Sequence, residues 1–288
     1  MDVASCAEQG WRLAMEDVWE AADTPHGQLL AVFDGHGGAR VAEVAKALLT
    51  PAVASMRDPF DQLEMENLFI AIDAYVLSTP AKEEGTTASV VLIKKRRFAI
   101  QDVQPEPGDE AEVPKRLETT NSGAESNERE LCVVTLGDSF TVLFGGDGTI
   151  KFQSRSHDPA AESEVRRIRA AGGFVSNSFG PPRVNGFLAV SGAFGDAHLK
   201  RGGSGPRGHL VTCVPFIDHI TAQAGDYLLL ASDGLVDFSQ KDHDIAKLVS
   251  RASELLQQDP DVHKVARQLV TEALTWSRDN CTCLLTRL

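Results

Sequence analysis

The run Leu29-Leu30-Ala31-Val32-Phe33 passes directly into Asp34-Gly35-His36-Gly37-Gly38. Five consecutive apolar residues read as a buried strand, and the glycine-rich segment behind them must turn sharply and hand the chain to a helix. Asp34 therefore stands at a strand exit, with His36 two residues on. A buried, ionised carboxylate without a partner costs several kcal/mol, so such a group has a cation or a metal beside it. Three more acidic sites have similar settings: Met15-Glu16-Asp17, Ser232-Asp233-Gly234 after Tyr227-Leu228-Leu229-Leu230-Ala231, and Asp279-Asn280 before Cys281-Thr282-Cys283-Leu284-Leu285. Four acidic sites at strand ends read as one oxygen-ligand site for hard divalent cations.

At 288 residues, 42% of them apolar, the chain can bury the core of one layered unit. Its net charge of −13 argues against a nucleic-acid surface, and its longest basic run, Lys94-Lys95-Arg96-Arg97, reads as a solvated strand end. No stretch approaches the roughly 18 apolar residues of a membrane helix. The N-terminus has neither the regions of a signal peptide nor a myristoylation start. The expectation is a soluble monomer, cytoplasmic or nuclear, with no membrane and no nucleic-acid partner. Five cysteines without a C-x-x-C fit a reducing compartment, and Cys281 and Cys283, on one face of a strand, read as core rather than zinc ligands.

Along the chain, Val41, Val44, Ala45, Leu48 and Leu49 recur at helical spacing, with Pro51 just past that helix. Asp58-Pro59 reads as the opening of a second helix with Phe60, Leu63, Leu68, Phe69, Ile72, Tyr75 and Val76 in the core. Gly85 to Ile93 is a turn into a strand. Residues 101–130 hold nine acids against three bases, with three prolines, and read as a disordered acidic insertion. Leu131–Leu136, Thr141–Phe144 and Thr149–Phe152 read as strands joined by glycine turns. Asp158-Pro159 and Asp259-Pro260 read as helix openings, and Arg166, Arg167 and Arg169 as a solvated face. Strands are expected near Leu210–Val214 and Tyr227–Ala231, helices over about Asp242–Leu256 and Val262–Trp276, and a last strand over Thr282–Leu285. The order predicts an α+β fold with antiparallel sheets and helices packed outside them.

With these pieces in place the chain resembles the metal-dependent serine/threonine protein phosphatases of the PPM type, the type 2C phosphatases. The residues that carry the likeness are Gly10-Trp11-Arg12 with Met15-Glu16-Asp17, Asp34-Gly35-His36-Gly37-Gly38, Gly85-Thr86-Thr87-Ala88, Gly137-Asp138-Ser139, Ala171-Gly172-Gly173, Arg183-Val184-Asn185-Gly186, Leu188-Ala189-Val190-Ser191, Phe194-Gly195-Asp196, Ser232-Asp233-Gly234 with Asp237, and Ser277-Arg278-Asp279-Asn280. They run in the family's order through a single domain. The resemblance implies a central antiparallel β-sandwich of two sheets flanked by helices on both sides. It also implies hydrolysis of phosphoserine and phosphothreonine in phosphoprotein substrates by a water bridging two divalent metals, Mg2+ or Mn2+.

On the resemblance, Asp34 bridges the metals, Asp233 and Asp279 hold one, and the Gly35 carbonyl binds the other. Glu16 and Asp17 act through outer contacts; alone, they would read as a surface turn. Arg12 anchors phosphate, where an isolated arginine would be a surface cation. His36 is the general acid for the leaving oxygen, or else buttresses the glycine turn. Asp138 and Asp237 match a third, weaker metal site; their plain readings are a hairpin turn and a helix cap.

The chain departs from the family pattern at Gly192 and Phe140, where arginine is common, and at Asp158, where lysine is frequent. Two competing readings are a binding module that keeps the fold without the reaction, and another metal hydrolase. The metal acids oppose the first and the acidic balance opposes a nuclease. The glycine segment has neither G-x-x-x-x-G-K nor G-x-G-x-x-G, which excludes those nucleotide sites.

Overall fold

The computed structural model describes residues 2–95, 128–177, 180–236 and 244–288. Among them, two five-stranded sheets are antiparallel throughout. The first runs Val3–Glu8, Cys281–Arg287, Tyr227–Ala231, Phe140–Phe144, Ile150–Gln153. The second runs Phe216–Gln223, Glu128–Leu136, Ala88–Lys94, Gly27–Phe33, Val18–Thr24.

The sheets face each other across a core that includes Leu30, Val32, Val91, Val133, Leu228 and Leu230. Helices α1 (Arg40–Ser55) and α2 (Gln62–Leu77) cover the outer face of the second sheet, where Leu29, Ala31 and Phe33 belong to their cluster. Helix α3 (Glu162–Ala170) packs apart, with Val184, Leu199 and Leu210 around Ile168. Helices α4 (Ile245–Gln258) and α5 (Val262–Ala273) cover the first sheet through Leu229 and Ala231, and Cys281 and Cys283 lie in that layer. This is the α+β fold with antiparallel sheets that the element order predicts, in the form of the sandwich with helices on both sides that the resemblance implies. Both alternating faces of Gly27–Phe33 meet apolar layers, which is why its sequence is a continuous hydrophobic run. No helix among the described residues is long and apolar enough to cross a membrane.

Several boundaries differ from the sequence expectation. The three Asp-Pro pairs make turns ahead of helices instead of opening them. Asp58 Oδ1 accepts the N–H of Phe60 at 3.0 Å, Asp158 Oδ1 that of Ala160 at 2.8 Å, and Asp259 Oδ1 that of Asp261 at 3.1 Å. Such Asx turns satisfy the aspartate locally, so the caps come later, at Asp61 and Asp261 for α2 and α5. Helix α4 starts from Asp244, whose side chain accepts from Lys247 N–H.

Pro51 lies inside α1, which runs on to Ser55. The lost hydrogen bond is offset by packing, with Val53 fully buried beyond it. In α2, apolar residues lie nearly all round, so Leu63 and Tyr75 are left outside at 65% and 53% exposure. Leu210–Val214 is buried but forms no strand; the strand is Phe216–Gln223, an edge whose polar Asp218, His219 and Thr221 hid it. The strand expected from Leu131 begins at Glu128, opposite Gln223. The rest of the acidic insertion, 101–127, and Asp237 lie outside the described residues.

Candidate active site

Strand register brings the acids together. Val18 pairs with Phe33, so Asp17 and Asp34 flank one rung at the end of the second sheet. Val32 pairs with Ser89 and Ala88 with Leu136, which carries that end across to Asp138. The turn at Gly137–Ser139 crosses to the first sheet, where Ala231 pairs with both Phe140 and Cys283; Asp233 and Asp279 emerge there. Thus Asp17, Asp34, Asp138, Asp233 and Asp279 gather at one end of the sandwich. Behind them, hydroxyls lace the sheets: Thr87 Oγ1 to Ser139 Oγ at 2.7 Å and Ser89 Oγ to Thr141 Oγ1 at 2.8 Å. Ser232 Oγ donates to Asp17 Oδ2 at 2.8 Å and accepts the Thr282 N–H at 3.0 Å.

The electrostatics are those of crowded acids. Burial pushes Asp34 well above the usual carboxylate range, and the charges of Asp17, Asp233, Asp138 and Asp279 add to it. Asp138 is raised well above that range by burial and then by Asp233. Burial pushes Asp17 up to about 6 against the hydrogen bond from Ser232. It does the same to Asp233, with Asp279 adding and the hydrogen bond with Asp34 and the Arg12 charge opposing. Like charges this close repel by a few kcal/mol even at an effective dielectric of about 20.

Asp17 Oδ1 is buried without a hydrogen-bond partner. An oxygen-only donor set with an orphaned carboxylate oxygen fits hard divalent cations. As the side chains stand, no three His, Cys, Asp or Glu groups among the described residues close into a cage. Arg12 Nη2 instead holds Asp279 Oδ2 at 2.5 Å.

Asn280 ties the Arg12 loop to this end: it accepts the Glu16 N–H at 2.8 Å and donates to the carbonyls of Gln9 and Ala14 at 2.8 and 3.1 Å. Gly35 donates its N–H to the Glu16 carbonyl at 3.2 Å, and a Cβ at 35 would lie 2.5 Å from that oxygen. Glycine is needed there for close approach; the left-handed turn falls at Gly37, with φ +71°. His36 Nε2 meets Asp196 Oδ2 at 2.8 Å.

A family model described as protein phosphatase 2C matches residues 1–103 and 111–281. The chain belongs to the protein phosphatase 2C family. Among relatives, it is 32% identical over 248 residues to protein phosphatase 2C homolog 2 of Saccharomyces cerevisiae, covering 81% of this chain and 46% of that one. It is 30% identical over 285 residues to human protein phosphatase 1B, covering 96% and 55%. This protein phosphatase 2C chain thus spans about half the length of those two relatives. A crystal structure of a phosphatase from Toxoplasma gondii superposes with TM-score 0.81 at 26% identity, covering 98% of this chain and 91% of that one. The catalytic domain of PstP, in complex with two manganese ions, shares the fold at TM-score 0.57 and 21% identity, covering 99% and 96%.

Set against the protein phosphatase 2C pattern, the departures have local reasons. Phe140 is buried in the layer under α4 and α5. At Gly192 a Cβ would lie 2.5 Å from the His157 ring, so no side chain fits. Arg167, expected in solvent, turns inward: it pairs with Glu164 and donates to the carbonyls of Ser191, His209 and Leu210. Sequence reasoning also missed Glu84, whose carboxylate accepts from Arg40 N–H and Nε at 3.0 and 2.6 Å and fixes the exit of the glycine turn. It gave Asp196 no role; the Phe194-Gly195-Asp196 motif was the available signal.

Proposed function

We propose that this chain is a Mg2+- or Mn2+-dependent protein serine/threonine phosphatase acting on phosphoserine and phosphothreonine. The observation that carries the reading is the gathering of five aspartates from both sheets at one end, beside one guanidinium and one imidazole.

Asp34, central to the electrostatics, would lie between two cations, with Asp233 and Asp279 on one and the Gly35 carbonyl on the other. Glu16 and Asp17 support them through outer contacts, and Asp138 with Asp237 would serve a weaker third site. Bound cations would acidify a water shared between them and neutralise the phosphoryl oxygens. Arg12, now paired with Asp279, is free to offer its fork to phosphate oxygens once that carboxylate has a cation. His36 gives a proton to the departing serine or threonine oxygen.

The reading takes phosphoproteins as substrates, and five free cysteines support a reducing compartment. Its test is hydrolysis of phosphoserine, phosphothreonine and phosphotyrosine peptides with Mn2+ or Mg2+ and with chelator. Metal-dependent turnover of the first two is expected. Equal turnover of all three, or turnover in chelator, would contradict it.

A further inference from the structure

We infer that Asp196 is a positioning residue that fixes which nitrogen of His36 faces the substrate. This rests on His36 as the proton donor in the function proposed above. Three two-residue strands make a small sheet in the order Phe194–Gly195, Gly85–Thr86, Gly35–His36, with His36 opposite Gly85 and Gly85 opposite Gly195. Asp196 follows directly. Its carboxylate lies 3.0 and 2.8 Å from His36 Nε2 through its two oxygens.

A Cβ on Gly85 would lie 2.2 Å from both Asp196 Oδ2 and His36 Nε2, so the pair meets across the one middle residue with no side chain. Asp196 is 3% exposed and held in the left-handed region at φ 53°. That conformation is uncommon for a residue other than glycine, and the surroundings enforce it. The Asp196 N–H donates to Glu84 O at 2.9 Å, and the Gly195 N–H to Asp73 Oδ1 at 2.9 Å. Asp73 is itself held by buried Lys200 at 3.3 Å. A carboxylate so braced aims the ring in one orientation.

A carboxylate only accepts, so Nε2–H donates to Asp196 and Nδ1 is left for the reaction. As a water oxygen bonds to phosphorus and the ester P–O bond breaks, the departing oxygen keeps the electron pair of that bond and takes the proton from Nδ1. The ring remains as the neutral Nε2–H tautomer on Asp196 and is reprotonated from solvent at Nδ1. A poor leaving group needs this proton, whereas p-nitrophenolate leaves without it.

Asp196→Gly removes the carboxylate and suits the left-handed backbone; Asp196→Asn keeps one acceptor oxygen and tolerates that conformation. The measurement is kcat and KM on a phosphothreonine peptide and on p-nitrophenyl phosphate, with 15N spectra of the histidine rings in metal-free protein. The glycine variant should lose about 30-fold or more in kcat on the peptide and less than about 3-fold on p-nitrophenyl phosphate, with KM steady. The asparagine variant should recover most of the loss. In the wild type the His36 signals should show Nε2–H as the neutral form, and in the glycine variant a mixture. Equal losses on both substrates, or unchanged His36 signals, would overturn the inference while leaving the phosphatase reading intact. A wild type inactive on both substrates would instead overturn that reading, and this inference with it.

Discussion

Asn280 Oδ1 accepts the backbone N–H of Glu16 at 2.8 Å, joining residues 264 apart in the chain. With its two donations to Gln9 and Ala14, this one side chain sets the loop that carries Arg12 against the strand that follows Asp279. Asn280→Ala removes three largely buried hydrogen bonds at roughly 1 kcal/mol each. It should lower unfolding stability by about 2–4 kcal/mol, read from the urea midpoint at constant slope, and raise KM for phosphopeptides. Loss of stability with KM unchanged would mean that the loop is held by other contacts.

The crowding of acids makes a second prediction. In chelator at pH 7.5, Asp233→Asn removes a charge repelled by Asp279, in a site where burial already disfavours ions. The variant should be more stable than wild type by about 1–3 kcal/mol. Added Mn2+ should raise the melting temperature of wild type and do little for the variant. A variant less stable than wild type in chelator would show that the carboxylate is satisfied without a cation.

His157 supplies a pH dependence. Burial pushes its pKa down to about 4, with Glu164 opposing and Arg167 adding. It accepts the Gly137 N–H at 3.2 Å, and its ring stacks on Phe216 at 4.1 Å. An unfolded histidine titrates near 6.5, so between pH 6.5 and 4 the unfolded chain binds a proton that the folded chain does not. Stability from this group is complete above 6.5 and falls as pH drops through that window, by up to about 3 kcal/mol. The stability difference between wild type and His157→Gln, measured in chelator from pH 7.5 to 5, should shrink as pH falls. A constant difference would contradict the buried neutral histidine.

At position 192 the arginine common in the family should not be tolerated. Gly192→Arg places a Cβ against the His157 ring, and that ring has Phe216 on it. Overpacking of this kind costs about 1–3 kcal/mol, to be read as a lower melting temperature. A more stable variant would mean that the ring has room to move.

How much of this was legible in the sequence depends on the range of the interaction. The runs Leu29–Phe33 and Tyr227–Ala231 announce themselves because both strand faces are covered, and acids at their ends stand out against glycine. Phe216–Gln223 did not, because an edge strand half in solvent needs no apolar run. Asp58, Asp158 and Asp259 misled because aspartate before proline caps a turn as well as a helix. Asp73 with Lys200, Arg40 with Glu84 and His36 with Asp196 are pairs between distant segments, and no local spacing encodes them. Asp237 lies outside the described residues.

The most direct measurement is hydrolysis of a phosphothreonine peptide and of p-nitrophenyl phosphate by purified wild type and Asp233→Asn, each with and without Mn2+ or Mg2+. Turnover is expected only with metal, lost by about 100-fold or more in the variant although the variant is the more stable protein in chelator. A folded wild type without metal-stimulated turnover, or a variant with full turnover, would contradict a metal-dependent phosphatase built on these acids.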